Sequence, residues 1–269
     1  MLVSYDVAGS GPTVVLLHST VCDRRMWDPQ MPVLVNAGYR VVRSDMRGFG
    51  QTPMPAQPYN NAQDVLDLLD LLSVTHAALV GASGGGRVAL EIAARWPQRV
   101  TSLALLCTAL AGHEPGAELR VFGEREDTLI EAGDIAGATE LNVRTWLGPQ
   151  ADETVREKVR QMQRHALEVQ LAAVEEFEPI RAQIDLAAIT APTLLISGSH
   201  DLADFRQIAV RLSEQLAYAR HLELAWAGHL PNLERPEALN PVLIDFLHET
   251  LAGTEPERRG DDRDPRKSG

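Results

Sequence analysis

Cysteine, lysine, aromatic residues and long apolar runs are all scarce in this sequence. Of 269 residues only two are cysteines, Cys22 and Cys107. Neither has metal-ligand spacing around it, so a disulfide framework or a zinc site is not expected and reduced thiols in a cytoplasm fit better. Basic charge is short as well. The formal net charge is −12, and lysine occurs only at Lys158 and Lys267. Binding to phosphates needs a basic footprint, so no nucleic acid and no anionic membrane surface is expected as a partner. No stretch is long and apolar enough to span a bilayer, and the first residues lack the basic region and apolar run of a signal peptide. A cytoplasmic location follows as the expectation. With aromatics at 5%, few side chains are candidates for an aromatic substrate pocket.

The composition, 45% hydrophobic and 23% charged, is that of a soluble globular protein with room for one large domain. Short apolar runs at 13–18, 39–44, 76–82, 100–107, 192–198 and 221–225 read as strands and alternate with amphipathic helices. That alternation implies a mostly parallel central sheet with helices on both faces, an α/β fold. Within it Asn61 is expected to cap a helix running to about Leu72, with Asp64, Asp67 and Asp70 on its solvated face. Met26, Trp27 and Met31 are expected to pack, and Arg24 and Arg25 to be structural or solvated. Between 111 and 185 the strand pattern gives way to polar helical segments broken at Gly112, Gly123, Gly133 and Gly148-Pro149. We read this as an inserted helical cap on a core formed by 1–110 and 186–252. Residues 253–269 lack an apolar anchor and are expected to be disordered. Pro241 should kink the closing helix or delay its start.

One stretch carries the chemistry. His76-Ala-Ala-Leu-Val-Gly-Ala-Ser-Gly-Gly-Gly-Arg-Val-Ala-Leu-Glu-Ile-Ala-Ala-Arg-Trp96 is a strand, an abrupt turn of small residues and a long helix. Gly81 and Gly85 flank Ser83 at the spacing G-x-S-x-G, and a serine on such a turn projects its hydroxyl away from the backbone, where it can attack a carbonyl. Gly84 opens the helix, which leaves its N–H free to face a developing oxyanion. The pentapeptide alone arises by chance in glycine-rich loops. Here the apolar face at Val88, Ala89, Ile92, Ala93 and Trp96, and the stop at Pro97, give it the required context.

Further motifs follow the same order as in a known family. Thr13-Val-Val-Leu-Leu-His18 leads into Ser19-Thr20. Asp45-Met-Arg-Gly-Phe-Gly50 reads Asp-x-Arg-Gly-x-Gly. Pro192-Thr-Leu-Leu-Ile-Ser-Gly-Ser-His-Asp201 ends in Gly-x-x-Asp, and Trp226-Ala-Gly-His-Leu-Pro-Asn-Leu-Glu234 follows the last strand. Over roughly residues 1–250 the chain resembles serine hydrolases of the α/β-hydrolase fold, and more narrowly small bacterial esterases and 3-oxoadipate enol-lactonase-like hydrolases. The resemblance implies Thr20 as the second oxyanion donor beside Gly84, although Ser19 stands where that family usually has glycine. It also implies Asp201 as the acid and His229 as the base. His229 alone of the eight histidines follows the last strand at the position the order Ser, Asp, His requires. Asp204 is a rival acid, but Asp204 with Gln207 fits a helix cap. His18 is read as bracing loops, His200 as facing solvent, and Asp45 with Arg47 as a charge-assisted pair holding their loop.

A cofactor-independent, metal-free hydrolysis of a small-molecule ester or lactone is therefore the expected function. Carbon–carbon bond hydrolysis, perhydrolysis and acyl transfer use the same triad and stay open, as does a small-molecule receptor on this fold. Apolar residues of the cap, including Phe122, Leu141, Trp146 and Leu147, either pack the cap on itself or line the substrate pocket, with Trp146 the leading pocket candidate. Oligomeric state is not readable from the sequence.

Overall fold

The computed structural model describes residues 3–175 and 177–251. The disorder expected over 253–269 falls outside the described residues. Strands β1 (Tyr5–Ala8), β2 (Thr13–Leu17), β3 (Arg40–Ser44), β4 (Ala77–Ala82), β5 (Val100–Leu106), β6 (Thr193–Gly198) and β7 (Ala219–Leu224) form one sheet in the order β1-β3-β2-β4-β5-β6-β7. Only β1 runs antiparallel to its neighbour. The inner strands β2, β4, β5 and β6 read as largely apolar runs because both faces of the sheet are covered there, whereas the edge strand β7 alternates.

Alternate side chains feed two separate cores, as the two-residue period of a strand requires. Val14, Leu16, Val80, Leu106 and Ile196 join one core with Leu239, Leu243, Phe246 and Leu247 of helix α9 (Pro236–Leu251) and Leu34 of α1 (Met31–Asn36). Val15, Leu17, Leu79, Leu105 and Leu195 join the other, against Val65 and Leu69 of α2 (Asn61–Leu71), Val88 and Ile92 of α3 (Gly84–Arg95) and Ile208 and Leu212 of α7 (Ala203–Gln215). Met26 and Trp27 are fully buried in the first core. Between β5 and β6 the chain leaves the sheet and forms α4 (Ala117–Glu131), α5 (Ile135–Trp146) and α6 (Glu153–Leu171) before it returns. Helix α8 (Pro231–Glu234) is a single turn ahead of α9.

Two local expectations change. The cap of α2 is Asn60, whose side chain accepts the Gln63 N–H, so the helix begins at Asn61 rather than being capped by it. Helix α9 starts at Pro236 and carries Pro241 inside. The start is thus not delayed past Pro241, and Pro236 at the first helical position costs nothing because its N–H would be unpaired anyway.

Candidate active site

Strand β2 lies between β3 and β4, so the chain builds outward in one direction and then crosses back to build in the other. The crevice at the carboxyl ends of β2 and β4 is the switch point where such sheets bind ligands. Leu17 of β2 pairs with Gly81 of β4, which brings His18-Ser19-Thr20 beside Ala82-Ser83-Gly84. Ser83 has φ 51° and ψ −116°, a left-handed backbone that costs an L-residue about 1–3 kcal/mol and persists only where its surroundings enforce it. They do so here. The Ser83 N–H donates to Leu106 O at 2.9 Å, and its carbonyl accepts from Arg87 at 3.1 Å and Ala109 at 3.0 Å. The flanking glycines are required by space: a Cβ on Gly85 would lie 2.3 Å from Leu17 O, and one on Gly81 would lie 2.7 Å from Gly85 O.

A Cβ on Gly84 would lie 2.6 Å from the Thr20 side chain, so the two implied oxyanion residues are neighbours. As the first residue of α3, Gly84 has an N–H that no intrahelical carbonyl can reach. Serine at position 19 needs no positive φ, because among the described residues those other than glycine with positive φ are Ser73, Ser83 and Cys107. His18 is fully buried and braces the loop as expected. Its Nδ1 bonds to Ser19 O and its Nε2 accepts the Met46 N–H, both at 2.8 Å. Burial pushes the His18 imidazole below its ordinary pKa.

His229 Nδ1 and Asp201 Oδ2 are 2.7 Å apart and both side chains are buried. The other Asp201 oxygen accepts the Leu202 N–H at 2.7 Å. The His229 ring is packed by Phe205 at 4.3 Å and Trp146 at 4.6 Å between centroids. An imidazole that donates Nδ1–H to a carboxylate keeps its acceptor lone pair on Nε2.

The profile of the alpha/beta hydrolase family matches residues 14–242. The chain belongs to that family. Among solved structures, a hydrolase from Pseudomonas aeruginosa PA01 is 33% identical, with a TM-score of 0.73, covering 90% of this chain and 93% of that one. The enol-lactonase from Burkholderia xenovorans LB400 is 28% identical with a TM-score of 0.74, covering 91% and 96%. A pimeloyl-[acyl-carrier protein] methyl ester esterase of Aeromonas hydrophila is 26% identical over 92% of this chain and 100% of its own. The protein is a hydrolase.

Elsewhere in this hydrolase several side chains have different partners from those expected. Asp204 does not cap α7. It lies in the first turn, and its Oδ1 accepts the Gly116 N–H at 2.6 Å and faces His113 Nε2 at 2.7 Å. Burial works to raise this carboxyl, but the bonds from Gly116 and His113 outweigh it and hold the pKa below the ordinary value. Asp45 pairs with Arg24 instead of Arg47, and Arg47 reaches Asp64 of α2 at 2.6 Å. The reason is reach: Asp45 accepts the Arg24 and Gln51 N–H groups at 2.8 and 2.9 Å and so turns toward the Arg24 segment.

Trp146 is buried, with its indole N–H on Asn142 Oδ1 at 2.9 Å and its ring 4.9 Å from Phe122. Leu147 is buried beside it in the core, whereas Phe122 and Leu141 line a surface cavity of about 380 Å³ with Val121 and Leu202. Cys107 was unmarked by any spacing. It is fully buried at φ 43°, bonds through Sγ to Gly228 O at 3.6 Å, and lies with the Asp201 and His229 ligand atoms within 4.8 Å of one another. Burial, and then the Asp201 charge, raise its thiol well above the usual range, so it stays protonated as a donor.

Proposed function

We propose that this hydrolase cleaves a carboxylic ester or lactone of a small molecule through an acyl-enzyme on Ser83. The observation that carries the reading is Ser83, held at positive φ at the switch point beside Thr20 and Gly84, in a chain that also holds a buried Asp201–His229 pair. Ser83 Oγ attacks the carbonyl carbon while His229 Nε2 takes its proton. Asp201 keeps the imidazole in the right tautomer and stabilises its charged form. The Gly84 and Thr20 N–H groups receive the oxyanion. His229 then returns the proton to the leaving oxygen, and a water deprotonated by the same base releases the acid and restores Ser83. The steps call for no cofactor or metal.

Residues 111–185 serve in this reading as a cap over the carboxyl edge of the sheet, with Trp146 reaching from it toward the base. The esterase and lactonase relatives support an acyl substrate. The test is labelling with a serine-reactive phosphonate and peptide mapping, alongside Ser83→Ala on p-nitrophenyl acetate. Label on Ser83 and a fall in kcat of about 10⁴-fold or more are expected. Turnover near that of the wild type by pure Ser83→Ala would overturn the assignment.

A further inference from the structure

Three successive backbone N–H groups surround the base, and the side chain that satisfies the outer two comes from α8. Glu234 is buried. Its carboxylate accepts the Gly228 N–H at 2.9 and 3.1 Å and the Leu230 N–H at 3.2 Å. The middle N–H, that of His229 itself, donates to Trp146 O at 3.1 Å. Gly148, just past α5, packs its backbone against the same carboxylate. The carboxylate therefore bonds to the base loop while the inserted segment packs against it at Gly148. Burial raises its pKa against the pull of these N–H groups.

The contact is too close for side chains. A Cβ on Gly148 would lie 2.5 Å from Gly228 N and 2.5 Å from Glu234 Oε2, and a Cβ on Gly228 would lie 2.4 Å from Gly148 N. Neither glycine has a positive φ, so glycine is required at both by proximity alone. Two backbone segments from distant parts of the sequence meet here with a single carboxylate between them.

We infer that Glu234 is a positioning residue for His229, and that the joint of Glu234, Gly148 and Gly228 makes the placement of the base depend on the docking of the inserted helices. Glu234 touches no reacting atom. It acts by fixing the backbone on both sides of the imidazole, while Asp201, Phe205 and Trp146 fix the ring. A carboxylate can accept from Gly228 N–H through both oxygens and from Leu230 N–H, whereas a glutamine turns an N–H₂ group toward Gly228 N–H. This rests on the serine-hydrolase reading for its kinetic arm only.

The experiment uses the full chain with Glu234→Gln and, separately, Gly148→Ala, which leaves the carboxylate in place and wedges the joint from the other side. Ester hydrolysis is read as kcat and KM. In a Ser83→Ala background, the far-downfield proton resonance of the His229–Asp201 hydrogen bond is recorded by NMR. Both variants are expected to lose kcat by about 100-fold, the scale of an ångström's misplacement of a reacting group, with KM little changed and the resonance shifted or broadened. A folded Glu234→Gln protein with wild-type kcat and resonance overturns the proposal. Should Glu234→Gln fail to fold, wild-type kcat and resonance in Gly148→Ala overturn it instead. The resonance needs only the Asp201–His229 pair, so failure of Ser83 to take a phosphonate would sink the serine reading while leaving this inference decided by NMR.

Discussion

Mild acid should destabilise this protein through His18, which uses both ring nitrogens in opposite senses. Nε2 accepts the Met46 N–H and Nδ1 bonds to Ser19 O, so a proton added at Nε2 would set donor against donor in a fully buried place. The folded protein therefore resists protonation below the ordinary value of 6.5. The unfolded chain takes up its proton near that value, so between it and the lower folded pKa the unfolded state binds more protons. Stability from this group is complete above 6.5 and is lost as the pH falls toward the folded value. One proton's difference limits the slope to about 1.4 kcal/mol per pH unit. The perturbation is His18→Gln, which offers the Met46 N–H an acceptor but does not titrate. Urea unfolding is measured on both proteins at several values between about pH 5 and 8, the range where histidine changes charge. His221, also lowered by burial, contributes equally to both, so the difference between the curves isolates His18. Wild-type stability should fall more steeply with acid than that of the variant. Parallel curves would refute the reasoning.

Two other substitutions separate roles that the structure places side by side. Asp201→Asn should lower kcat by about 10⁴-fold through the wrong imidazole tautomer. Asp204→Asn should cost about 1–3 kcal/mol of stability, by weakening the bonds to Gly116 and His113, with a far smaller effect on kcat; denaturation midpoints and kinetics on the pair check this, and the reverse ordering would move the acid to Asp204. Trp146→Ala should change the ratio of kcat/KM for acetyl and octanoyl esters by about 10-fold, as expected for ~1–3 kcal/mol of pocket contact. An unchanged ratio with both rates lowered would mean that Trp146 serves only to pack the base.

The elbow was readable because its requirements are local: a strand, a turn that excludes side chains and a helix are all written in adjacent residues. The inner strands β2, β4, β5 and β6 were readable for a related reason, since burial on both faces leaves apolar runs, while β3 and β7 were readable from alternation. Strand β1 was missed. It is four residues, Tyr5-Asp-Val-Ala8, on an edge with exposed Val7, too short for its alternation to stand out. Partners that are distant in sequence were not readable either. Nothing near Asp204 in the chain announces Gly116 or His113, and Asp45 has a closer arginine in sequence than the one it binds. Glu234 lay inside a motif quoted for its histidine, and its function depends on Gly148, which belongs to another part of the chain.

The departure of the chain at Leu106 and its return at Thr193 also bear on how the protein folds. Strands β5 and β6 pair directly, so everything between them is a loop that must close before that pairing forms. Contacts of such long sequence separation slow folding. Closure itself is cheap in free energy, since doubling a loop's length adds only about 0.6 kcal/mol. Lengthening or shortening the exposed connections between helices α4, α5 and α6 should thus change the rate at which the sheet is completed more than its final stability. Variation there is kinetically visible and thermodynamically tolerated, whereas the buried faces of α5 and α6, where Val143, Val159 and Met162 join the core, are held to their packing.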